Sequence, residues 1–323
     1  MNALVTGTAG FIGSHLSRRL LREGARVIGV DSFTDFYPRW MKERNLAPLA
    51  GDRNFEFLPQ DLLDLDLDGL LSRVEVVYHL AAQAGVRSSW GESFSVYVQQ
   101  NIQSTQKLLE AAKGKPLSRF VYASSSSVYG LTPTLPMTEK SPLYPLSPYG
   151  VTKLAAEQLC FLYFQNYAVP TVSLRFFTVY GPGQRPDMAF HKFFKSIAEG
   201  RPIVIYGDGE QTRDFTFVED IVEACLAASR LGRAGNVYNV GGGHRKKMND
   251  LLPVLEETCG KNVEVRREDR QKGDVVHTHA DIGKARTELG FTPRTVLGEG
   301  LRQEWDWIRT LYGTQVGSNL GRK

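Results

Sequence analysis

The chain has 323 residues, of which 42% are hydrophobic and 23% are charged, as in an ordinary globular protein of one large or two medium domains. Its net charge of +4 is small for this length, so it gives no case for nucleic acid, although it does not oppose an anionic substrate. No apolar run has the length of a membrane span, and the first strand begins so early that we expect no signal peptide. The cysteines lie far apart and predict reduced thiols in a cytoplasmic protein, with no metal site; they are Cys160, Cys225 and Cys259. We expect the polar tail, residues 314–323, to be frayed.

The amino-terminal unit combines a strand, a glycine-rich turn, a helix and a second strand. The predicted strands span 3–6 and 26–30, the predicted helix spans 14–23, and the turn carries Gly7, Gly10 and Gly13. This order predicts a dinucleotide-binding unit, because glycines let the backbone approach a pyrophosphate at the helix N-terminus. Asp31 ends the second strand about twenty residues after the glycines, where an acid accepts hydrogen bonds from the ribose hydroxyls and repels a 2′-phosphate. The unit therefore favours NAD over NADP; the alternative is a structural βαβ unit that binds no ligand.

Strands and helices continue to alternate along the chain. Further strands are predicted at 54–58, 74–80, 119–123 and 171–177, and further helices at 101–113 and 154–167. Sequential βα units require right-handed crossovers, so we predict an α/β fold with a doubly wound parallel (Rossmann) sheet and a ligand crevice at the carboxyl ends of its strands. At the end of the third strand, Asp61 either bonds the adenine amino group or caps the next helix. His79 lies within the fourth strand and is interpreted as a packed core histidine.

The fifth predicted strand ends in a row of serines at 124–127, and a helix start follows at Ser147, where Pro148 occupies the first turn. On that helix Tyr149 and Lys153 are four residues apart and project from one face. A nearby ammonium favours the phenolate, so it brings a phenol with an ordinary pKa of about 10 toward the working range of a base. Together with a serine bonded to the same substrate oxygen, this pair predicts an alcohol–ketone interconversion. The Tyr-x-x-x-Lys spacing alone favours a pair on a surface helix.

After residue 177 the regular alternation of strands and helices ends. The next stretch is rich in turns, and the elements predicted beyond it are a strand at 203–207, a helix at 221–229, a strand at 236–240 and a helix at 281–289. We therefore predict an NAD-binding domain at 1–177, completed by a returning segment at about 215–242. Residues 178–323 are expected mainly to form a smaller C-terminal substrate-binding domain.

The chain resembles the extended short-chain dehydrogenase/reductases that modify nucleotide sugars, from about residue 3 to residue 311. The resemblance is carried by Gly-Thr-Ala-Gly-Phe-Ile-Gly at 7–13, Ser-Ser-Val-Tyr-Gly at 126–130 and Pro-Tyr-x-x-x-Lys at 148–153. The stretches at 81–87, 175–182, 185–189 and 273–275 are similar to UDP-glucuronate 4-epimerases in particular. The resemblance implies that Tyr149 is the base, that Lys153 holds the ribose and depresses the pKa of the tyrosine, and that Ser125 bonds the sugar O4.

The resemblance also implies a substrate site, for which alternatives remain open. Arg185 aligns with the arginine that grips the uronate carboxylate, a group that an arginine fork fits well, or else it is a surface charge or a structural ion pair. Arg213 and Asp274 align with groups that hold the UDP, unless Arg213 pairs with the adjacent Asp214. Arg87 binds substrate or is structural, and Val204 and Tyr206 sandwich a uracil or belong to a strand core. Thr178 stands where galactose-type relatives carry Asn.

The implied ligands are NAD and a UDP-sugar, and each has an expected set of contacts. Tyr149, Lys153 and Ser125 form the catalytic set. The expected NAD contacts are Gly7, Gly10, Phe11, Ile12, Gly13, Asp31, Ser32, Asp61, Leu62, Leu80, Ala81, Ala82, Gln83, Asn101, Tyr149, Lys153 and Phe176. The expected substrate contacts are Arg87, Ser125, Ser126, Ser127, Tyr149, Thr178, Arg185, Val204, Tyr206, Arg213 and Asp274.

The expected reaction is 4-epimerisation of UDP-glucuronate to UDP-galacturonate through a transient 4-keto sugar. Tyr149 takes the O4 proton while C4 passes hydride to NAD, the sugar ring swings about the diphosphate, and hydride returns to the other face. Ser127 stands where related dehydratases and UDP-glucuronate decarboxylases carry an acid, which disfavours their chemistry here. The alternatives are a 4-epimerase of a neutral NDP-hexose, a UDP-glucuronate decarboxylase and, outside enzymes, an NAD-binding sensor. The resemblance further implies a homodimer formed through helices 101–113 and 154–167.

Overall fold

The computed structural model describes residues 1–313, so the tail that is expected to be frayed lies outside the described residues. Within them, a seven-stranded sheet forms the centre of the fold, and all of its strand pairs are parallel. In spatial order its strands are β10 (Asn236–Val240), β6 (Thr171–Phe176), β5 (Arg119–Ser125), β4 (Val76–His79), β1 (Asn2–Thr6), β2 (Arg26–Val30) and β3 (Phe55–Leu58). The predicted doubly wound α/β fold is confirmed.

The order of the strands reverses at β1. This strand pairs with β2 on one side and with β4 on the other, and Thr6 lies level with both Val30 and His79 at the carboxyl ends. In an open parallel sheet, such a switch point opens a crevice between the loops that follow the two neighbouring strands. The topology therefore places a ligand crevice above Thr6.

Helices cover both faces of the sheet. They are α1 (Phe11–Arg22), α2 (Arg39–Leu46), α3 (Leu67–Leu71), α4 (Phe94–Tyr97), α5 (Ser104–Ala111), α6 (Pro148–Tyr167), α7 (Ala189–Ala198), α8 (Val218–Leu231), α9 (Leu252–Cys259), α10 (Gly283–Leu289) and α11 (Leu297–Tyr312). Because strand side chains alternate, Leu4 and Val77 pack toward α3, α5 and α6, while Val5 and Tyr78 pack toward α1 and α8. The sheet is thus buried on both faces.

The helix that the sequence predicts from residue 101 begins earlier, at Phe94. α4 continues through a π-helical stretch, Val98–Gln103, into α5. The residues of the π-helical stretch are largely Gln and Asn, so no apolar period marks it. Tertiary contacts stabilise it instead: Tyr97 is 1% exposed and its hydroxyl donates to the carbonyl oxygens of Ala84 and Gly85 at 2.8 and 2.9 Å.

After β6 the chain adds two small sheets. One contains β7 (Val179–Tyr180), β9 (Thr212–Phe217) and β11 (His244–Lys247), and the other pairs β8 (Ile203–Tyr206) in parallel with β12 (Val265–Glu268). Between β9 and β11 in the chain, β10 returns to the large sheet and pairs with β6. The sequence predicts the return of β10 but not the pairing of β8 with β12, because those two segments are far apart in the chain.

His79 of β4 is buried in the core of the large sheet. His79 is 1% exposed, its ring nitrogens lie 2.8 Å from Thr6 Oγ1 and 2.9 Å from Thr105 Oγ1, and burial lowers its pKa to about 3. It is therefore a neutral core histidine, as expected.

The cysteines are free thiols, of which Cys160 and Cys225 are buried. Among the helices of residues 1–313, none is both long and apolar enough to cross a membrane.

Candidate active site

A cavity of about 950 Å³ lies at the carboxyl ends of the large sheet. It extends from the turn between β1 and α1, past the end of β5, to β8 and β9 of the small sheets. The predicted site residues that line it are Gly7, Gly10, Phe11, Ile12, Gly13, Asp31, Ser32, Leu80, Ala81, Ala82, Gln83, Arg87, Ser125, Ser126, Ser127, Tyr149, Lys153, Phe176, Thr178, Arg185, Val204, Tyr206, Arg213 and Asp274.

The turn between β1 and α1 has the shape of an anion cradle. Gly7 has φ +73°, and a Cβ atom there would lie 2.9 Å from the backbone nitrogen of Ala81. A Cβ atom on Gly13 would collide with the carbonyl oxygen of Gly7. Only glycine fits both positions, so the backbone of the turn stays open to the cavity. The first-turn N–H groups of α1 have no acceptor within the helix, which makes this end a site for a pyrophosphate.

Asp31 faces the cavity directly after β2. Its Oδ2 accepts from the backbone N–H of Ala9 at 3.2 Å, and its Oδ1 accepts from the backbone N–H of Phe33 at 2.9 Å and from Lys42 Nζ at 3.3 Å. Lys42 is only 5% exposed. The sequence does not predict Lys42, because its partner lies on another element and no local pattern marks it. These contacts hold the carboxylate in one orientation beside the glycine turn.

Three of the predicted cofactor contacts lie behind the cavity lining. Asp61 accepts from the backbone N–H of Leu63 at 2.9 Å and from Gln100 Nε2 at 2.8 Å. It does not cap the next helix, since the N-cap of α3 is Asp66, which accepts from the backbone N–H of Gly69 at 3.2 Å. Leu62 is buried in the core beside α3 and α5. Asn101 accepts from the backbone N–H of Gln83 at 2.7 Å and donates to its carbonyl oxygen at 3.0 Å. Asn101 therefore supports the lining residue Gln83 from behind.

The predicted reactive pair lies in the first turns of α6. Ser147 is the N-cap, and its Oγ accepts from the backbone N–H of Gly150 at 3.1 Å. Tyr149 and Lys153 follow one helical turn apart, and Ser125 ends the adjacent strand β5. Ser125 Oγ accepts from the backbone N–H of Ser127 at 3.1 Å, which leaves its own proton available to the phenol oxygen.

The electrostatics of the phenol differ from the expectation. Burial raises the pKa of Tyr149, while the Arg185 guanidinium and a hydrogen bond from Ser125 act to lower it. The sequence predicts that Lys153 lowers this pKa, but the Lys153 Nζ lies 4.6 Å from the ring centroid of Tyr122. Burial lowers the pKa of Lys153 itself to about 8. The cation that acts most strongly on the phenol is thus Arg185, which belongs to a loop distant in sequence.

Arg185 presents a planar fork within the cavity. Its Nε and Nη2 each donate to one carboxylate oxygen of Asp187 at 3.0 Å, and its guanidinium lies 5.8 Å from the ring centroid of Phe36. This is the bidentate geometry in which arginine binds carboxylates. Neither Asp187 nor Phe36 is a predicted site residue, although Asp187 lies within the Arg-Pro-Asp-Met-Ala run that carries the resemblance.

The far end of the cavity holds a second cluster of charges. Arg87 donates to Asp274 Oδ2 at 2.7 Å and its guanidinium lies 4.1 Å from the ring centroid of Tyr206. Burial lowers the pKa of Arg213, and the charge of Asp274 partly opposes this shift. Asp214 does not take the role of partner, since its carboxylate accepts from the backbone N–H groups of Gly242 at 3.2 Å and Ala280 at 2.9 Å.

β8 presents alternate side chains to the cavity. Ile203 and Ile205 are 1% and 2% exposed and belong to the core, whereas Val204 and Tyr206 point to the other side of the strand and line the cavity. Of the two interpretations of Val204 and Tyr206, the structure supports the cavity wall and not the strand core. An apolar side chain beside an aromatic ring can hold a planar base.

Comparisons with known proteins point to one family. The model of the NAD dependent epimerase/dehydratase family matches residues 3–241. The chain is 45% identical to an uncharacterized UDP-glucose epimerase of Bacillus subtilis (strain 168), over 97% of this chain and 99% of the relative. It is 40% identical to the UDP-glucuronate 4-epimerase of Thermodesulfobacterium geofontis (strain OPF15), over 95% of both chains. A similar crystal structure is that of the UDP-glucuronic acid 4-epimerase from Bacillus cereus in complex with UDP-glucuronic acid and NAD, with a TM-score of 0.94, 45% identity and coverage of 97% of this chain and 100% of that chain.

Proposed function

The chain belongs to the NAD-dependent epimerase/dehydratase family, and from that premise we propose that it inverts C4 of UDP-glucuronate to give UDP-galacturonate. The observation that carries the choice of a uronate is the position of Arg185. Its fork lines the same cavity as the Tyr149 phenol and acts on the pKa of that phenol. A sugar whose O4 meets Tyr149 can therefore present its C6 carboxylate to Arg185.

NAD is the cofactor, and the residues present fit it. The glycine turn and the start of α1 would hold the pyrophosphate, and Asp31 would accept from the ribose hydroxyls. When bound, NAD supplies the hydride acceptor for C4 and the donor for its return. Lys153 and Phe176, which line the cavity beside the end of β5, would hold the nicotinamide side of the cofactor.

The residues of the chain carry the proton and control orientation. Tyr149 takes the proton of O4, Ser125 donates to the same oxygen, and Tyr149 returns the proton to O4 once the ring of the 4-keto sugar has turned over. Arg185 and the serines at 126–127 hold the carboxylate. A 4-keto uronate loses CO₂ when its C5–C6 bond stands perpendicular to the ketone plane, so this grip keeps the bond away from that orientation.

The remaining predicted contacts would hold the nucleotide. Val204 and Tyr206 would flank the uracil, and Arg213 with Arg87 would meet the diphosphate, while Asp274 orients Arg87 through their ion pair. Thr178 would face the sugar. In this assignment residues 1–177, with the returning segment at about 215–242, bind NAD, and residues 178–323 mainly bind the UDP-sugar.

We also infer a homodimer in the cytoplasm. Exposed apolar side chains support the dimer: Phe161 and Leu162 lie on α6, within the predicted helix 154–167, whereas Phe94 and Val96 lie on α4, before the predicted helix 101–113. Patches of this kind mark interaction surfaces. The free thiols support a reducing compartment.

The direct test is to incubate the purified protein with UDP-glucuronate and follow the configuration at C4 by NMR. We expect UDP-galacturonate to form without added NAD, because the cofactor is regenerated in each cycle. A pentose product would identify a decarboxylase, and no conversion at all would refute the proposed function.

A 4-epimerase of a neutral NDP-hexose is the second candidate, since Asp187 already satisfies the fork of Arg185 and no substrate carboxylate is required for that charge. The variant Arg185→Gln separates the two. For a uronate enzyme we expect the ratio kcat/KM for UDP-glucuronate to fall by about 100-fold or more, because a charged hydrogen-bonded partner is lost. A neutral-sugar enzyme should instead lose activity on UDP-glucuronate and on UDP-glucose by the same factor, because Arg185 acts on the phenol whichever sugar is bound. Both losses are measured against the control Arg266→Gln, whose side chain is exposed away from the cavity.

A further inference from the structure

A buried ion pair lies beside the active-site cavity and has no step in the proposed reaction. Glu157 is 2% exposed and Arg175 is 3% exposed. Arg175 donates to both carboxylate oxygens of Glu157, from Nε to Oε2 at 3.0 Å and from Nη2 to Oε1 at 2.6 Å. Ser124, also 3% exposed, donates from Oγ to Glu157 Oε2 at 2.6 Å. One carboxylate thus receives three hydrogen bonds from two strands.

This cluster joins the two elements that carry the catalytic set. On α6, Glu157 follows Lys153 by one helical turn and Tyr149 by two. On β5, Ser124 directly precedes Ser125 and lies opposite Arg175 of β6 in the register of the sheet. The helix that presents the phenol and the strand end that presents the serine are therefore connected through a single carboxylate.

The same cluster anchors the turn that follows Ser125. Arg175 Nη1 donates to the hydroxyl of Tyr129 at 2.8 Å, and that hydroxyl donates to Asn239 Oδ1 at 2.6 Å. Asn239 lies on β10, the strand that returns from the C-terminal half of the chain. The serine row is thus fixed from behind as well as from the helix.

Stability alone does not account for such a pair, because a buried ion pair contributes little more than well-packed apolar residues of similar volume. A role in positioning the reacting groups does account for the pair, since a displacement of about 1 Å at reacting groups lowers rates by about 100-fold. We infer that Glu157 is a positioning residue that holds the Ser125 hydroxyl against the Tyr149 phenol by way of Ser124. This inference rests on the proposed function.

The charge of Glu157 also acts on the pKa of Lys153, which provides a second measurable effect. Burial lowers the pKa of Lys153 to about 8, and the Glu157 carboxylate acts against that shift. The other groups that face Lys153 are Cys160 on α6, Tyr122 on β5 and His79 on β4. Arg175 and Ser124 face Glu157 from the sheet. Removing the carboxylate while Arg175 remains should lower the pKa of Lys153 further.

The first test compares Ser124→Ala with Ser173→Ala. Ser173 is a buried hydroxyl on β6 that contacts Cys160 of α6, so its variant removes a comparable contact between sheet and helix without touching the serine row. For Ser124→Ala we expect kcat to fall by about tenfold or more, with KM, melting temperature and bound NAD close to those of Ser173→Ala. Equal kcat in the two variants would show that the cluster is only structural. That result, in a wild-type protein that converts UDP-glucuronate, overturns this inference alone, whereas an inactive wild type refutes the proposed function.

The second test uses Glu157→Gln, which keeps an acceptor for Ser124 but removes the charge. We expect the alkaline limb of the kcat/KM profile to move to lower pH, since Lys153 loses its proton more readily. An alkaline limb at the wild-type position would contradict the role of the charge. Should this variant fail to fold, the comparison of Ser124→Ala with Ser173→Ala decides the inference.

Discussion

At the scale of single residues, the proposed chemistry depends on a phenol whose burial opposes its own ionisation. Burial raises the pKa of Tyr149, and the Arg185 guanidinium and the Ser125 hydroxyl oppose that shift. We predict that Tyr149→Phe lowers kcat by about 10²–10⁴-fold, the usual contribution of a positioned acid–base group, with unchanged melting temperature and NAD content. NMR at C4 measures the loss. Tyr78→Phe is the control, because that buried hydroxyl donates to Ser229 at 2.7 Å, on the α8 side of the sheet.

The identities of these residues can be predicted from the sequence, but their charge environment cannot. Tyr149 and Lys153 follow from local signals, an N-cap and a spacing of one helical turn, whereas the family resemblance singles out Ser125 among the serines at the strand end. The cation that acts on the phenol belongs to a loop far along the chain, and the Lys153 Nζ lies over the Tyr122 ring of the neighbouring strand. Such contacts depend on how the elements pack, which no local pattern records.

Glu304 provides a prediction on stability. Its side chain is fully buried, its Oε2 accepts from the backbone N–H of Gly181 at 2.7 Å, and burial raises its pKa well above the usual carboxyl range. The folded state therefore binds this proton more tightly than the unfolded state. The associated stability is fully present below the unfolded pKa of about 4.3 and is lost as the pH rises toward the folded pKa.

The variant Glu304→Gln cannot ionise, so it escapes that loss. We predict that its melting temperature, relative to the wild type, increases as the pH is raised from about 5 to about 8. Thermal melts at both pH values measure the difference. The exposed Glu264→Gln serves as control and should show no such trend. A difference between Glu304→Gln and the wild type that is the same at both pH values would contradict the assignment.

At the scale of elements, the N-terminus of α6 connects stability with catalysis. Ser147 caps the helix, and Tyr149 lies within its first turn. We predict that Ser147→Ala lowers the free energy of unfolding by about 1 kcal/mol and also lowers kcat, because the turn that carries the phenol frays. Urea unfolding and steady-state kinetics measure the two effects. Ser147→Thr keeps the cap and should remain near the wild type, and an alanine variant as stable as the threonine variant would contradict the role of the cap.

The elements themselves divide into those with a local signature and those without. β1, α1 and β2 can be predicted because apolar strands flank a glycine turn, and β10 can be predicted from its valine and tyrosine residues, which favour strands. The start of α4 and the π-helical Val98–Gln103 cannot, since tertiary contacts such as those of Tyr97 stabilise α4 and the stretch after it is largely Gln and Asn. The parallel pairing of β8 with β12 likewise arises only in the folded chain.

At the scale of the whole molecule, both parts of the chain contribute to one cavity. The large sheet and helix α6 provide the glycine turn, Asp31 and the proposed catalytic set, and the small sheets provide Val204, Tyr206 and Arg213. The sequence predicts each group but not the distances between them, because those depend on pairings between distant strands. Under the proposed function, the cofactor and the sugar nucleotide meet in this cavity, so that a hydride and a proton leave the same carbinol.

The surface of α6 leads to the last prediction. Phe161 and Leu162 are 49% and 50% exposed, while the opposite side of the same helix buries Cys160 against the sheet. A helix that is apolar around its circumference is usually covered on both sides, which supports burial of this face against a second copy of the chain. We predict that the wild type has the mass of a dimer by light scattering and that the double variant Phe161→Glu, Leu162→Glu has the mass of a monomer.

The control for this prediction is Leu231→Glu, since Leu231 is 59% exposed at the end of α8, on the other side of the sheet. That variant should remain a dimer. A wild type with the mass of a monomer would remove the case for the dimer, whereas a dimer that survives both charges on α6 would place the interface elsewhere. Tyr149 and Glu157 lie on the same helix as Phe161. If separation of the dimer makes α6 less ordered, we expect the monomer to lose activity as well.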